Sequence, residues 1–233
     1  MPICLLILSW ILIMANKIAP FSFDSCKSQM QALFGKTSIA VTDEQLDKLT
    51  TLIEMLNTWN SALNLTAIKD VNQMVVLHIL DSAVVSPVVN SVGEIKSVAD
   101  VGTGAGFPGL VLAILNPNLN FTLIDSVGKK LSFVRQVVTK LKLDNVELIN
   151  KRCEEIDHEP FDVIVSRAFA PIERMVSWCL PLLKEQGRFV AMKANLEENE
   201  IKDIPGTVTI ERIEELKVPT LEAKRQAVIL KHA

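Results

Sequence analysis

Residues 99–109 read Ala-Asp-Val-Gly-Thr-Gly-Ala-Gly-Phe-Pro-Gly, and no other run constrains the fold of this chain as tightly. Gly102, Gly104 and Gly106 follow a short apolar stretch and precede an apolar run that starts at Leu110, which is the order strand, glycine turn, helix. Glycine lacks a Cβ and reaches positive φ freely, so the backbone of such a turn can pass very close to a ligand. The helix start behind it offers N–H groups without intrahelical partners. The turn therefore predicts a small, polar, nucleoside-like ligand.

From residue 95 onward, short apolar strands alternate with amphipathic helices. Strands are expected near 97–101, 121–125, 146–149, 161–165 and 188–192, and helices near 110–115, 129–141 and 172–183. Glu185-Gln186-Gly187 reads as a turn before the fifth strand. This alternation implies an α/β fold, a doubly wound and mainly parallel sheet with helices on both faces. Residues 207–213 and 226–230 are expected to add an antiparallel C-terminal edge pair.

Upstream, 42 to 90 reads as helical. Thr42 with Gln45 forms a capping box. Leu46, Leu49, Leu52, Ile53, Leu56 and Trp59 then give one apolar stripe at helical spacing. A polar turn is expected around 60–64, and a second helix across 71–85 carrying His78 and Asp81, which Pro87 ends or kinks. The chain thus divides into an N-terminal extension (1–40), expected to be poorly ordered, a helical segment (41–90) and an α/β core (91–233).

The apolar run 3–14 is shorter than the roughly 20 residues of a spanning helix. It resembles a signal-peptide core in length, but no Lys or Arg precedes it and Ile18-Ala19-Pro20 makes a poor cleavage site. Met14-Ala15-Asn16-Lys17 reads as a more natural start, so residues before Met14 are expected to play no part in the fold, with a membrane anchor as the rival reading. The 233 residues are 49% hydrophobic and 22% charged, which excludes a disordered chain. A formal net charge of -3 does not announce a nucleic-acid binder. Cys4, Cys26, Cys153 and Cys179 show no metal-ligand spacing, so no metal is expected, and the thiols read as reduced and buried in a cytoplasmic protein.

Nucleotide ligands bind open parallel sheets at the carboxyl ends of the strands. The second strand ends at Asp125, about 20 residues past the first, where a carboxylate can accept both hydroxyls of a ribose. Asp100, ending the first strand, is expected to support the turn. Gly104, Gly106 and Gly109 match G-x-G-x-x-G, which suggests a dinucleotide. However, Gly102 is the glycine that directly follows the strand, and Pro108 has no N–H to offer a pyrophosphate. Counted from Gly102 the spacing is G-x-G-x-G, which suits S-adenosyl-L-methionine, a cofactor without phosphates.

This segment resembles the class I methyltransferases, with their Rossmann-like core. Further pieces resemble one family among them, the bacterial small-subunit ribosomal RNA guanine-N7 methyltransferase G, also called glucose-inhibited division protein B. They are Trp59-Asn60, Asn64-Leu65-Thr66, His78-Ile79-Leu80-Asp81-Ser82, Leu123-Ile124-Asp125-Ser126 and Gly128-Lys129-Lys130. Phe161-Asp162, Ser166-Arg167-Ala168-Phe169 and Gln186-Gly187-Arg188-Phe189 follow in the family's order. The resemblance implies that Gly102, Gly104, Gly106, Phe107, Asp125, Cys153, Glu154 and Arg167 contact S-adenosylmethionine. In it, Gly102 faces the methionine part, Cys153 and Glu154 lie at the adenine, and Arg167 stands between cofactor and incoming base. Cys153 departs from the family's valine, and Ala194 from the glycine expected after Lys193.

The resemblance further implies methylation of N7 of a guanine in small-subunit (16S) rRNA, on the RNA or the small ribosomal subunit; the chain itself is expected to be a monomer without stable membrane association. N7 carries an in-plane lone pair and no proton, so no general base is required. Arg167 is then the candidate substrate-positioning group, because an arginine fork fits the O6 acceptor on that edge. For RNA contact, residues 121–152 hold seven basic residues, Lys129 and Lys130 among them, against three acids. Bland readings stand beside these: Glu154 as a surface acid, Arg167 paired with Asp162 or Glu173, His78 as a hydrogen-bonding partner, Lys193 as a solvated cation. The alternatives for the whole chain are a methyltransferase acting on other substrates, an NAD-linked oxidoreductase, and a non-catalytic RNA-binding assembly factor with the same fold.

Overall fold

The strand that feeds the glycine turn is hydrogen-bonded on both sides. The computed structural model describes residues 21–167 and 169–233. Its seven strands are β1 (Ser97–Val101), β2 (Asn120–Ile124), β3 (Val146–Ile149), β4 (Phe161–Arg167), β5 (Leu183–Lys193), β6 (Val208–Glu215) and β7 (Gln226–His232), in the order β3-β2-β1-β4-β5-β7-β6. β1 pairs in parallel with β2 and β4, and the order reverses there. That is the switch point at which such sheets hold ligands. β7 is antiparallel to both β5 and β6, as the alternating tail suggested.

The described helices are α1 (Phe23–Phe34), α2 (Asp43–Leu63), α3 (71–83), α4 (Ser86–Ser91), α5 (Gly109–Leu115), α6 (Gly128–Leu141), α7 (Ile172–Cys179) and α8 (Glu198–Lys202). The capping box forms: Thr42 Oγ1 accepts from Gln45 N, and Gln45 Oε1 accepts from Thr42 N. The Gln45 amide also donates to Ile114 O at 3.0 Å, so the same side chain caps the end of α5 and ties the helical segment to the core. The stripe of α2 packs with α1, α3, α5 and α6 on one face of the sheet, while α7 covers the other with Phe161 and Phe189.

Several expectations change. Residues 21–40 are not wholly a poorly ordered extension, because Ser22 caps α1 and Cys26, Met30, Leu33 and Phe34 bury its inner face. Each such side chain contributes about 1.5–3 kcal/mol through burial, enough to hold one short amphipathic helix on the core. The expectations for residues 1–13 lie outside the described residues. α2 runs through the polar turn expected at 60–64, because the Asn60 side chain is satisfied by Thr66 N and Ile68 O. Pro87 does not end a single helix but sits at the start of α4. The Glu185-Gln186-Gly187 turn is an irregularity inside β5, whose register against β4 shifts between the Phe161–Leu183 and Val163–Arg188 pairs. α7 stops at Cys179 and a 3-10 turn, Leu180–Leu182, completes the expected helix, since Pro181 cannot donate within it.

α3 is helical throughout but not uniformly α. Val71–Met74 is α, Val75–Leu80 is a π-helix, and Asp81–Ala83 is α again, with Asp81 N donating back to Val76 O. The stretch Val71–Ser91 is apolar and long enough to cross a membrane, yet 72% of its most apolar window is buried inside the fold. α3 and α4 together form the buried centre of the helical segment.

Candidate active site

Asp100 organises the glycine turn. Its Oδ2 accepts from Thr103 Oγ1 at 2.6 Å and from Gly109 N at 2.7 Å, pinning both ends of the loop to the end of β1. The carboxyl is fully buried, and burial raises its pKa to about 6 against the pull of those two hydrogen bonds. Gly102 and Thr103 both donate to Ile124 O, which locks the turn onto β2. Gly102, Gly104 and Gly106 take φ of 71°, 59° and 91°. At Gly102 glycine is also required sterically, because a Cβ would lie 2.3 Å from Cδ2 of Phe169.

Asp125 turns its buried carboxylate onto the same loop. Oδ2 accepts from Gly104 N and Oδ1 from Val127 N, each at 2.8 Å. Each oxygen keeps a second lone pair, so a diol can still be received. A cavity of about 250 Å³ opens beside it, lined by Gly102, Asp125, Cys153, Glu154, Phe169 and Trp178, with Lys130, Lys151 and Arg152 also on its wall. Phe169 and Trp178 meet edge to face, their centroids 5.7 Å apart. Cys153 is buried and its thiol donates to Glu154 Oε2 at 3.2 Å. The exposed Glu154 carboxyl is held below its ordinary range by its own backbone N–H first and by that thiol second. The Cys179 thiol is pushed upward by its hydrogen bond with Cys153 and by burial.

The structure gathers Gly102, Asp125, Cys153 and Glu154 around this one cavity. Gly104 and Gly106 shape the turn without lining it, and Phe107 and Arg167 face elsewhere. Phe107 is buried, stacked on His78 at 4.9 Å, with the Arg167 guanidinium 5.6 Å above its ring. Arg167 lines a second cavity of about 480 Å³ together with Leu77, His78, Asp81, Lys193 and Arg225. The partner of Arg167 is neither Asp162 nor Glu173. Its Nη1 donates to Asp81 Oδ2 and to Leu77 O, both at 3.0 Å. Asp162 instead accepts from Lys96 N, Ser97 N and Lys184 Nζ at the opposite ends of the strands.

His78 meets its partner Thr66 through Nε2 at 2.9 Å. Burial, reinforced by the Arg167 charge, lowers its pKa to about 4, so the imidazole is neutral at pH 7. Lys193 is not a solvated cation: Nζ donates to Ala170 O at 3.2 Å and pairs with Glu200. Glu200 also accepts from Ile172 N, so α8 straps the loops that follow β4 and β5. Arg225 and Asp81 are the residues that reading the motifs singly overlooked in this cavity; Asp81 sat inside a quoted motif, while Arg225 lies in an unremarkable basic pair with Lys224.

The backbone donors of the glycine turn are largely used within the turn itself. The N–H groups at the start of α5 are consumed internally: Gly106 N and Phe107 N donate to Thr103 O, Gly109 N to Asp100, and Leu110 N to Gly106 O. Pro108 has none. None of these groups is left to receive a pyrophosphate, and the cavity beside the turn offers a carboxylate together with aromatic and basic side chains.

A family model described as rRNA small subunit methyltransferase G matches residues 45–229. The chain is 44% identical over 205 residues to a ribosomal RNA small subunit methyltransferase G of Escherichia coli, covering 88% of this chain and 97% of that relative. It is 46% identical over 205 residues to the protein of the same name from Colwellia psychrerythraea, covering 87% and 96%. Among solved structures, TrmN from Thermus thermophilus aligns with a TM-score of 0.52 at 15% identity, covering 66% of this chain and 48% of that one. A SAM-dependent O-methyltransferase from Thermotoga maritima aligns with a TM-score of 0.51 at 18% identity, covering 66% and 65%. These two structures share the fold.

Proposed function

The chain belongs to the rRNA small subunit methyltransferase G family, and from that premise we propose that it transfers a methyl group from S-adenosylmethionine to N7 of a guanine in small-subunit rRNA. The observation that carries the reading is the pair of cavities at the carboxyl ends of the parallel strands. One, with Asp125 and the Cys153–Glu154 turn on its wall, lies at the ends of β1 and β2, and the other, with Arg167, lies at the ends of the neighbouring β4 and β5. The family match leaves the NAD-linked and the non-catalytic readings without support.

Gly102, Asp125, Cys153 and Glu154 would hold the cofactor, Asp125 at the ribose and the Cys153–Glu154 turn at the adenine. S-adenosylmethionine, when bound, supplies an electrophilic methyl group on a sulfonium centre. The residues then have one task, to place N7 in line with that methyl group at near-attack distance. N7 carries no proton, so the transfer needs no base, and His78 is held in place by its Nε2 contact with Thr66 and its stacking on Phe107. Arg167 would donate to O6 or to a phosphate of the target nucleotide. Its guanidinium is held for this by Asp81, Leu77 O and the Phe107 face. We read the enzyme as a cytoplasmic monomer acting on the small-subunit RNA or particle.

Methyl transfer onto small subunits from a strain lacking the gene, followed by mapping of the product, tests the reading. Arg167→Ala is expected to lose most of the activity while still binding S-adenosylmethionine. Wild-type turnover by that variant would remove Arg167 from the substrate site.

A further inference from the structure

In the second cavity a single carboxylate holds two guanidiniums. Asp81 Oδ2 accepts from Arg167 Nη1 at 3.0 Å, and Oδ1 accepts from Arg225 Nε at 2.7 Å. The two arginines come from distant points downstream in the chain, 86 and 144 residues from Asp81. Arg167 ends β4, Arg225 precedes β7, and the carboxylate comes from α3 directly after its π-helical turn. The Asp81 side chain is 6% exposed, while each arginine side chain is 20% exposed and lines the cavity.

The charge balance makes this more than a structural ion pair. One carboxylate offsets only one of the two guanidiniums, so the group keeps a net positive charge within a partly desolvated cavity. Each guanidinium has five N–H donors in a fixed fork. Asp81, Leu77 O and Lys224 O occupy only part of them. Like charges drawn together and left with spare donors suit a ligand that brings acceptor oxygens of its own. A nucleotide does so at its base edge and at its phosphate. Without the carboxylate, the two cations repel and both long side chains regain their rotamers.

We propose that Asp81 is a positioning residue for methyl transfer, fixing Arg167 and Arg225 as a paired fork that grips the acceptor oxygens of the target nucleotide. This rests on the assignment of the second cavity to that nucleotide. Asp81 touches neither substrate nor cofactor; it acts through the two arginines, and Arg225 joins Arg167 in contact with the RNA.

The test is Asp81→Asn in the full chain, which keeps the shape and removes the charge. Calorimetry with S-adenosylmethionine and single-turnover methylation of small subunits give the readouts. Cofactor affinity is expected to be unchanged, and KM for the particle unchanged or lower, because the cavity gains positive charge. The single-turnover rate is expected to fall roughly 10- to 100-fold, the scale of a misplacement near 1 Å. A merely supporting residue would instead lower cofactor affinity and rate together. Arg225→Gln leaves the Asp81–Arg167 pair in place and guards against misfolding of the first variant; it too should slow methyl transfer at intact cofactor affinity. An active Arg167→Ala would overturn the assignment of the cavity. Loss of activity in Arg167→Ala with full rates in both Asp81→Asn and Arg225→Gln would overturn the fork alone.

Discussion

Gly102→Ala strikes the turn where its geometry is tightest, and the cost can be worked from two separate sources. At φ 71° an alanine sits in the left-handed region, which costs an L-residue roughly 1–2 kcal/mol. The new Cβ would also lie 2.3, 2.9 and 3.0 Å from Cδ2, Cγ and Cβ of Phe169. The half-buried ring must swing away and give up its edge contact with Trp178, worth about 0.5–1.5 kcal/mol. The sum is about 2–3 kcal/mol, or a fall in melting temperature of roughly 5–10 °C for a chain of this size. Gly104→Ala is the internal control. Its φ is 59°, but the nearest atoms to a new Cβ are 4.0 Å away, so only the backbone cost applies. Thermal unfolding of the ligand-free protein should therefore rank Gly102→Ala well below Gly104→Ala. Adding Phe169→Ala should relieve part of the Gly102→Ala defect, a coupling of about 1 kcal/mol in a double-mutant cycle. Equal effects of the two alanines together with strict additivity would refute the close packing of Phe169 on Gly102. Because that ring walls the cavity proposed for the cofactor, Gly102→Ala should also weaken S-adenosylmethionine binding about tenfold, or 1.4 kcal/mol.

Two further outcomes follow from the charges. The folded pKa of His78, about 4, is depressed from an unfolded value near 6.5, so between these pH values the unfolded chain holds a proton that the folded protein lacks. Stability contributed by neutral His78 is thus lost as pH falls through this window, by about 3 kcal/mol. The difference in unfolding free energy between wild type and His78→Gln should shift by that amount from pH 7 to pH 4, and a constant difference would contradict it. Asp100 works in the opposite sense, its folded carboxyl raised to about 6, but it is present in both proteins and drops out of the comparison. On the basic face, Lys129→Glu with Lys130→Glu should raise KM for the small subunit and flatten its salt dependence, each lost phosphate contact removing up to about 0.9 from the slope. An unchanged KM with unchanged salt dependence would exclude that face from RNA contact.

The parts of the fold that a reader of the chain can recover are those encoded over a few residues. The glycine turn, the capping box of Thr42 and Gln45, and the alternation of strands and helices from β1 to β5 all rest on spacings of two to four positions, and most of their boundaries reappear within two residues, although β5 starts five residues earlier and α7 stops four residues sooner. That Asp125 and the Cys153 turn meet at one cavity was legible because both follow strand ends. What was not legible depends on topology. Nothing local to Arg167 points to Asp81 rather than to the nearer Asp162 or Glu173; the choice is made by the placement of α3 over the ends of β4 and β5. The same holds for Arg225, whose basic neighbour Lys224 makes it look like an exposed pair. The helix Phe23–Phe34 was obscured for a different reason. The long apolar run before it invited one label for everything upstream of residue 41, although Cys26, Met30, Leu33 and Phe34 carry a helical face of their own.

The π-helical turn of α3 has a consequence for the length of the chain itself. In an α-helix every residue advances the side-chain direction by about 100°. The wider turn between Val75 and Leu80 resets that angular phase, so the segment before it and the segment after it keep different faces toward the interior. Met74 is turned into the core on one side, and Asp81 toward the two arginines on the other. Deleting one residue here would restore a regular helix and leave the two faces out of phase, satisfying the core or the cavity but not both. A surface loop absorbs such a change. In this helix the count of residues is therefore as much a part of the specification as their identity.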